Sequence, residues 1–130
     1  SVDIHCPYLD LLRKKSVAAR RHQIVESEIV AYVDKQVRAG CCFDVTLLLD
    51  VLEHFVRDDA ARLLRTLETI TRKRIIIWIP LGVCSQKEYD DNPYQVHLST
   101  WRREDLESLS YRVERLAKSH RAVAWAMKDL

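Results

Sequence analysis

Five consecutive residues, Asp50-Val51-Leu52-Glu53-His54, place two carboxylates and an imidazole directly after an apolar run. Carboxylates there can accept hydrogen bonds from ligand hydroxyls, or they can be ordinary acids of a strand end and loop. His54 has the side chain whose charge changes near neutral pH, which suits a base or a substrate ligand equally with a partner for a loop carbonyl. Downstream, Tyr94 and His97 fall in a stretch of irregular composition and are candidates to touch a substrate or to fix that stretch to the domain. Two further acids, Asp3 and Glu28, stand just before predicted helices, and Asp3 could simply cap the helix that follows it. His5, His54, His97 and the acids near them show no tight ligand spacing, so no metal is expected. The cysteines Cys6, Cys41, Cys42 and Cys84 form no C-x-x-C pair. Adjacent Cys41 and Cys42 share neither a metal nor an unstrained disulfide easily, and reduced thiols in a cytoplasmic protein are expected.

The elements that must position these groups alternate between strand and helix. Phe43 to Val51 and Arg74 to Ile79 are short continuous apolar runs, as parallel strands covered on both faces read. Between them Ala60, Leu63, Leu64 and Leu67 repeat at helical spacing, with Asp58 or Asp59 as the expected cap. Upstream, Val2 to Ile4 reads as a strand end, Pro7 to Lys15 as a helix, and Ile24 and Val25 as another short strand. Glu28 to Val37 reads as a helix terminated at Gly40, the alternative being a strand prolonged through Ile29 and Val30. Leu81 to Val96 has no period, and Arg103 to Ser108 reads as a helix burying Leu106 and Leu109. Tyr111 to Leu116 and Ala122 to Met127 read as a hairpin turning at Lys118-Ser119-His120-Arg121. The class is therefore α/β, doubly wound, in one domain spanning residues 1–130.

Composition narrows the functions. Two glycines among 130 residues leave little from which to build a nucleotide-cradling loop. A net charge of +2, from 21 basic and 19 acidic residues, makes no global case for nucleic acid. The clusters Arg13-Lys14-Lys15, Arg20-Arg21-His22 and Arg72-Lys73-Arg74 flank predicted helix ends or turns, where solvated cations are favourable. Trp78, Trp101 and Trp125 are read as core. No apolar run approaches the roughly 20 residues of a membrane helix. With Ser1 first and Met127 the only methionine, the sequence reads as part of something longer.

The D-V-L-E-H segment at the end of a strand, with a helix and a strand ending Ile79-Pro80 after it, resembles class I S-adenosylmethionine (SAM)-dependent methyltransferases. The resemblance extends back to Val2-Asp3-Ile4-His5 and Pro7-Tyr8-Leu9, similar to that family's second strand and following helix. It extends forward to the stretch from Asn92 to Trp101 and to the closing hairpin, and so covers nearly the whole chain. It implies a Rossmann-like, mostly parallel sheet with a C-terminal antiparallel hairpin. It also implies SAM as cofactor, with Asp3 and Ile4 at the ribose, Glu28 near the adenine, and Asp50 and Val51 beneath the methionine half. His54, Tyr94 and His97 would face an acceptor that the resemblance does not identify.

One departure is large. The family's first strand and glycine-rich turn would precede Asp3, and neither Gly40 nor Gly82 can replace that turn. The expectation is a methyltransferase portion that binds SAM poorly by itself, the rival being a non-catalytic interaction module. Strand edges left without the first strand would favour self-association.

Overall fold

The computed structural model describes residues 1–15, 22–115 and 122–130. They form two compact units, Ser1–Gly40 and Cys41–Leu130.

In the first unit, β1 (Val2–Asp3) pairs in parallel with β2 (Val25–Glu26), Val2 opposite Val25. Between them runs α1 (Cys6–Lys15), which buries Leu9 and ends in Arg13, Lys14 and Lys15, favourable at the negative end of a helix. After β2 comes α2 (Ile29–Arg38). The Glu28 carboxylate accepts the N–H groups of Val30 and Ala31 at 2.9 and 2.8 Å. That capping resolves the open boundary: Ile29 and Val30 begin a helix and do not prolong the strand. At the far end Gly40 takes a left-handed φ of 64° and donates to the Val37 carbonyl, as a helix terminator should.

The second unit contains β3 (Phe43–Leu49), α3 (Arg57–Ile70), β4 (Thr71–Pro80), α4 (Arg103–Ser108), β5 (Arg112–Arg115) and β6 (Val123–Asp129). The sheet order is β3-β4-β6-β5, with β3 and β4 parallel and the other pairings antiparallel. The expected helical stripe of Ala60, Leu63, Leu64 and Leu67 is buried, as are Ile75, Ile77 and Ile79 at every second position of β4. Each buried leucine or isoleucine here contributes about 1.5–3 kcal/mol through burial. The closing hairpin is present, while its expected turn at Lys118 to Arg121 lies outside the described residues. The same holds for Arg20 and Arg21 of the second basic cluster.

Three expectations need correction. Among the β3 side chains only Leu48 is fully buried, and Val45, Leu47 and Leu49 are 47%, 58% and 51% exposed. These three share one face by the two-residue period, and β3 is a sheet edge bonded to β4 alone among the described strands. Apolar composition therefore marks a face that is uncovered here. Neither Asp58 nor Asp59 caps α3: the cap position is Val56, two residues before Asp58, and both acids sit in the first turn near the positive helix end. The Arg72-Lys73-Arg74 cluster lies within β4, with Lys73 and Arg74 paired to Asp44 and Asp129.

Tyr111 supplies an unusual packing term. The residue is 2% exposed and its hydroxyl has no hydrogen-bond partner among the described residues. Burial, with the negative charge of Glu68 nearby, holds the phenol well above its ordinary pKa. A buried hydroxyl without a partner costs about 1–3 kcal/mol. Tyr111→Phe is accordingly expected to leave the melting temperature unchanged or to raise it, as calorimetry would read directly.

Candidate functional site

Where β3 ends, the chain turns sharply. Asp50 takes a left-handed φ of 57°, uncommon outside glycine, while its N–H still reaches the Trp78 carbonyl at 3.0 Å. Parallel pairing thus holds one residue past the strand before the backbone bends away. Leu52 to His54 then form one 3-10 turn, with Leu52 and Glu53 buried to 0% and 1% exposure. The apolar Leu52 pulls this turn into the core and carries the adjacent carboxyl with it.

The stretch from Val96 to Trp101 is fastened over that turn. The Glu53 carbonyl accepts from the N–H groups of Leu98 and Ser99 at 2.8 and 3.1 Å. Ser99 Oγ donates to the Leu52 carbonyl at 3.3 Å and accepts from Trp101 Nε1 at 3.0 Å. Arg57 stacks 4.0 Å over the buried Trp101 ring, donates to the Thr100 carbonyl, and pairs with Asp105 at 2.6 Å. The Asp105 carboxyl is held below its ordinary pKa, the Arg57 and Arg102 contacts outweighing the opposing effect of burial.

This fastening brings two imidazoles together. His54 and His97 lie with ring centroids 5.0 Å apart at an interplanar angle of 73°. Each Nδ1 is directed to a backbone carbonyl, His54 to Val96 at 3.1 Å and His97 to Cys84 at 2.6 Å. A carbonyl only accepts, so Nδ1 carries the proton in both rings and a neutral ring keeps its lone pair on Nε2. Burial, assisted by the charge of His97, lowers the His54 pKa and favours its neutral form. One donor atom each from Glu53, His54 and His97 lies within 4.8 Å of the others. Both Glu53 carboxyl oxygens and His54 Nε2 are buried without a hydrogen-bond partner among the described residues. Burial first, then the neighbouring Asp50 carboxyl, pushes the Glu53 pKa up to about 9.

Of the residues expected to face an acceptor, the structure joins His54 to His97 and leaves Tyr94 apart. The Tyr94 side chain is 55% exposed, and no hydrogen bond or ring contact ties it to either histidine among the described residues. Asp50 is exposed and Val51 half-buried at the carboxyl end of β3, where open α/β sheets take ligands. In the first unit Asp3 is half-buried at the end of β1, one carboxylate oxygen accepting the His5 N–H at 2.8 Å, and Ile4 follows it. Glu28 is exposed, with both oxygens engaged in capping α2. Glu53, one of the two acids weighed in the D-V-L-E-H segment, is the one that lies with both histidines, a grouping that residue spacing does not reveal.

No protein-family model matches the chain, and no curated protein matches it in sequence. Solved structures do match in fold. The magnesium protoporphyrin IX methyltransferase (ChlM) of Synechocystis PCC 6803 with bound SAM aligns at a TM-score of 0.63 and 13% identity, over 98% of this chain and 57% of its own. The same enzyme with bound SAH aligns at 0.65 and 11%, over 98% and 62%. A proposed O-methyltransferase of Nostoc punctiforme PCC 73102 aligns at 0.61 and 18%, over 92% and 40%. The chain thus has the class I methyltransferase fold and spans about 40–62% of these structures.

Proposed function

We propose that residues 1–130 are the latter part of one SAM-dependent methyltransferase domain whose whole protein methylates an acceptor bound beside Glu53, His54 and His97. The observation that carries this reading is the placement of the D-V-L-E-H segment. It stands at the carboxyl end of parallel β3, and the Val96–Trp101 stretch fastened over it brings in a second imidazole. The SAM-bound and SAH-bound ChlM structures share the fold, which makes SAM the cofactor to test.

The residues present fit that cofactor in part. Asp3, half-buried at a strand end, has two acceptor oxygens suited to ribose hydroxyls, one of them shared with the His5 N–H. Asp50, with its left-handed φ of 57°, stands at the carboxyl end of β3, where open α/β sheets take ligands. A glycine turn for close backbone approach is not supplied: Gly40 follows α2, and Gly82 follows β4 within a loop. SAM, when bound, supplies an electrophilic methyl. The chain's own part is to hold the acceptor in line, worth orders of magnitude in rate. While its Nε2 is not engaged by another ligand, a neutral His54 would be available to take a proton if the acceptor must lose one.

A cofactor-free interaction module is the second reading, favoured by Glu28 spending both oxygens on the α2 cap. Titration calorimetry separates them. Residues 1–130 alone are expected to bind SAM no tighter than about millimolar, roughly −4 kcal/mol. In the intact protein, Asp3→Ala should weaken SAM at least about tenfold, since a hydrogen bond to a charged group contributes about 1.5–3 kcal/mol. An intact protein that ignores SAM, with or without Asp3, would leave only the module.

A further inference from the structure

We infer that Glu53, His54 and His97 form a binding site for one divalent transition-metal ion of the zinc class. Geometry carries the assignment. The three donors lie within 4.8 Å of one another, although His97 is far from the other two in sequence. Glu53 is 1% exposed, and both its oxygens and His54 Nε2 are buried without partners among the described residues. Three adjacent polar atoms without hydrogen-bond partners are costly in a protein interior, and a cation that displaces the Glu53 proton would satisfy all three together.

The surroundings match those of metal-binding histidines. Such residues commonly direct their other ring nitrogen to a backbone carbonyl or carboxylate, which fixes tautomer and ring orientation. Here both Nδ1 atoms do so, to Val96 and Cys84, leaving Nε2 as the ligating atom of each ring. The His97 ring has a further constraint, because its backbone N–H donates to Gln86 at 3.1 Å. Two imidazoles and one carboxylate are the protein ligands of zinc sites that keep a fourth position open for water or substrate. Imidazole ligands select zinc, cobalt or copper over magnesium and calcium. With metal–ligand bonds of about 2.0–2.2 Å, tetrahedral ligands stand about 3.3–3.6 Å apart, so the widest donor separation, within 4.8 Å, must close by up to about 1.5 Å. His97, half-buried on a loop, is the group placed to make that movement.

This inference does not depend on methyl transfer, and its test uses the metal alone. Cobalt(II) chloride titrated into chelator-treated protein, with cysteines alkylated to silence thiol sites, should give visible d–d bands saturating at one ion per chain. Zinc should displace the cobalt, and magnesium or calcium should not. His97→Ala, His54→Ala and Glu53→Gln should each weaken cobalt binding at least tenfold. Glu53→Gln, nearly isosteric, is the variant expected to keep the circular dichroism spectrum of the parent if His54→Ala fails to fold. Saturation without d–d bands, magnesium competing as well as zinc, or cobalt affinity unchanged in folded Glu53→Gln and His97→Ala would each overturn the site.

Discussion

Raising the pH of chelator-treated protein from about 7 to about 9 is expected to lower its folding stability, with Glu53 as the principal cause. An unfolded chain releases that proton near the ordinary glutamate value of 4.5, whereas the folded chain holds it up to about 9. Between those values the folded state binds more protons than the unfolded state, so stability falls as pH rises, by up to about 1.4 kcal/mol per pH unit. The groups facing Glu53 are Asp50, which adds to the shift, and the two imidazoles. His54 acts in the opposite sense. Its lowered folded pKa costs stability below the ordinary histidine range, so the descent due to Glu53 is cleanest above about 7. Urea unfolding at closely spaced pH values would read the slope. Glu53→Gln has no proton to lose there and should flatten it. An equal slope in parent and variant would show that Glu53 is not the titrating group.

Trp101→Ala is expected to cost about 3–5 kcal/mol, the range for truncating a buried large aromatic. Trp101 is 1% exposed, lies under Arg57 and donates to Ser99. Through Ser99 that bond reaches the Leu52 carbonyl, so the substitution loosens the strap that holds His97 beside His54. Equilibrium unfolding should show the loss as a lower midpoint. Trp101→Phe keeps most of the apolar volume and the ring face for Arg57, and should cost distinctly less. If Trp101→Ala costs under about 1 kcal/mol, the strap is held by its backbone hydrogen bonds alone.

Much of the central architecture can be read from residue order. Phe43–Leu49 and Arg74–Ile79 are continuous apolar runs, and Ala60, Leu63, Leu64 and Leu67 repeat at helical spacing, so strand, helix and parallel strand follow without any tertiary knowledge. The uncovered face of β3 does not follow, because Val45, Leu47 and Leu49 state what could be covered and not what covers it. The stretch from Leu81 to Trp101 was illegible for a different reason. Its order rests on main-chain bonds such as Leu98 and Ser99 to Glu53 and Gly82 to Trp101, which every residue type can make. The chemistry of Asp50 to His54 was visible as residue types. That His97 would complete it was not, because the pairing depends on where two carbonyls, of Val96 and Cys84, orient the rings.

The junction of α3 and β4 restricts how this chain can change in length. Helix ends at Ile70 and strand begins at Thr71, with no residue between them to absorb an insertion. Because strand side chains alternate faces, one added residue there would turn Ile75, Ile77 and Ile79 away from the core and bring Arg74, Ile76 and Trp78 inward. Two added residues would restore the faces yet slide β4 along β3 and β6, whose pairings span nearly its whole length. Natural length variation among relatives should therefore spare this joint and collect between Gly82 and Tyr94, before the strap begins.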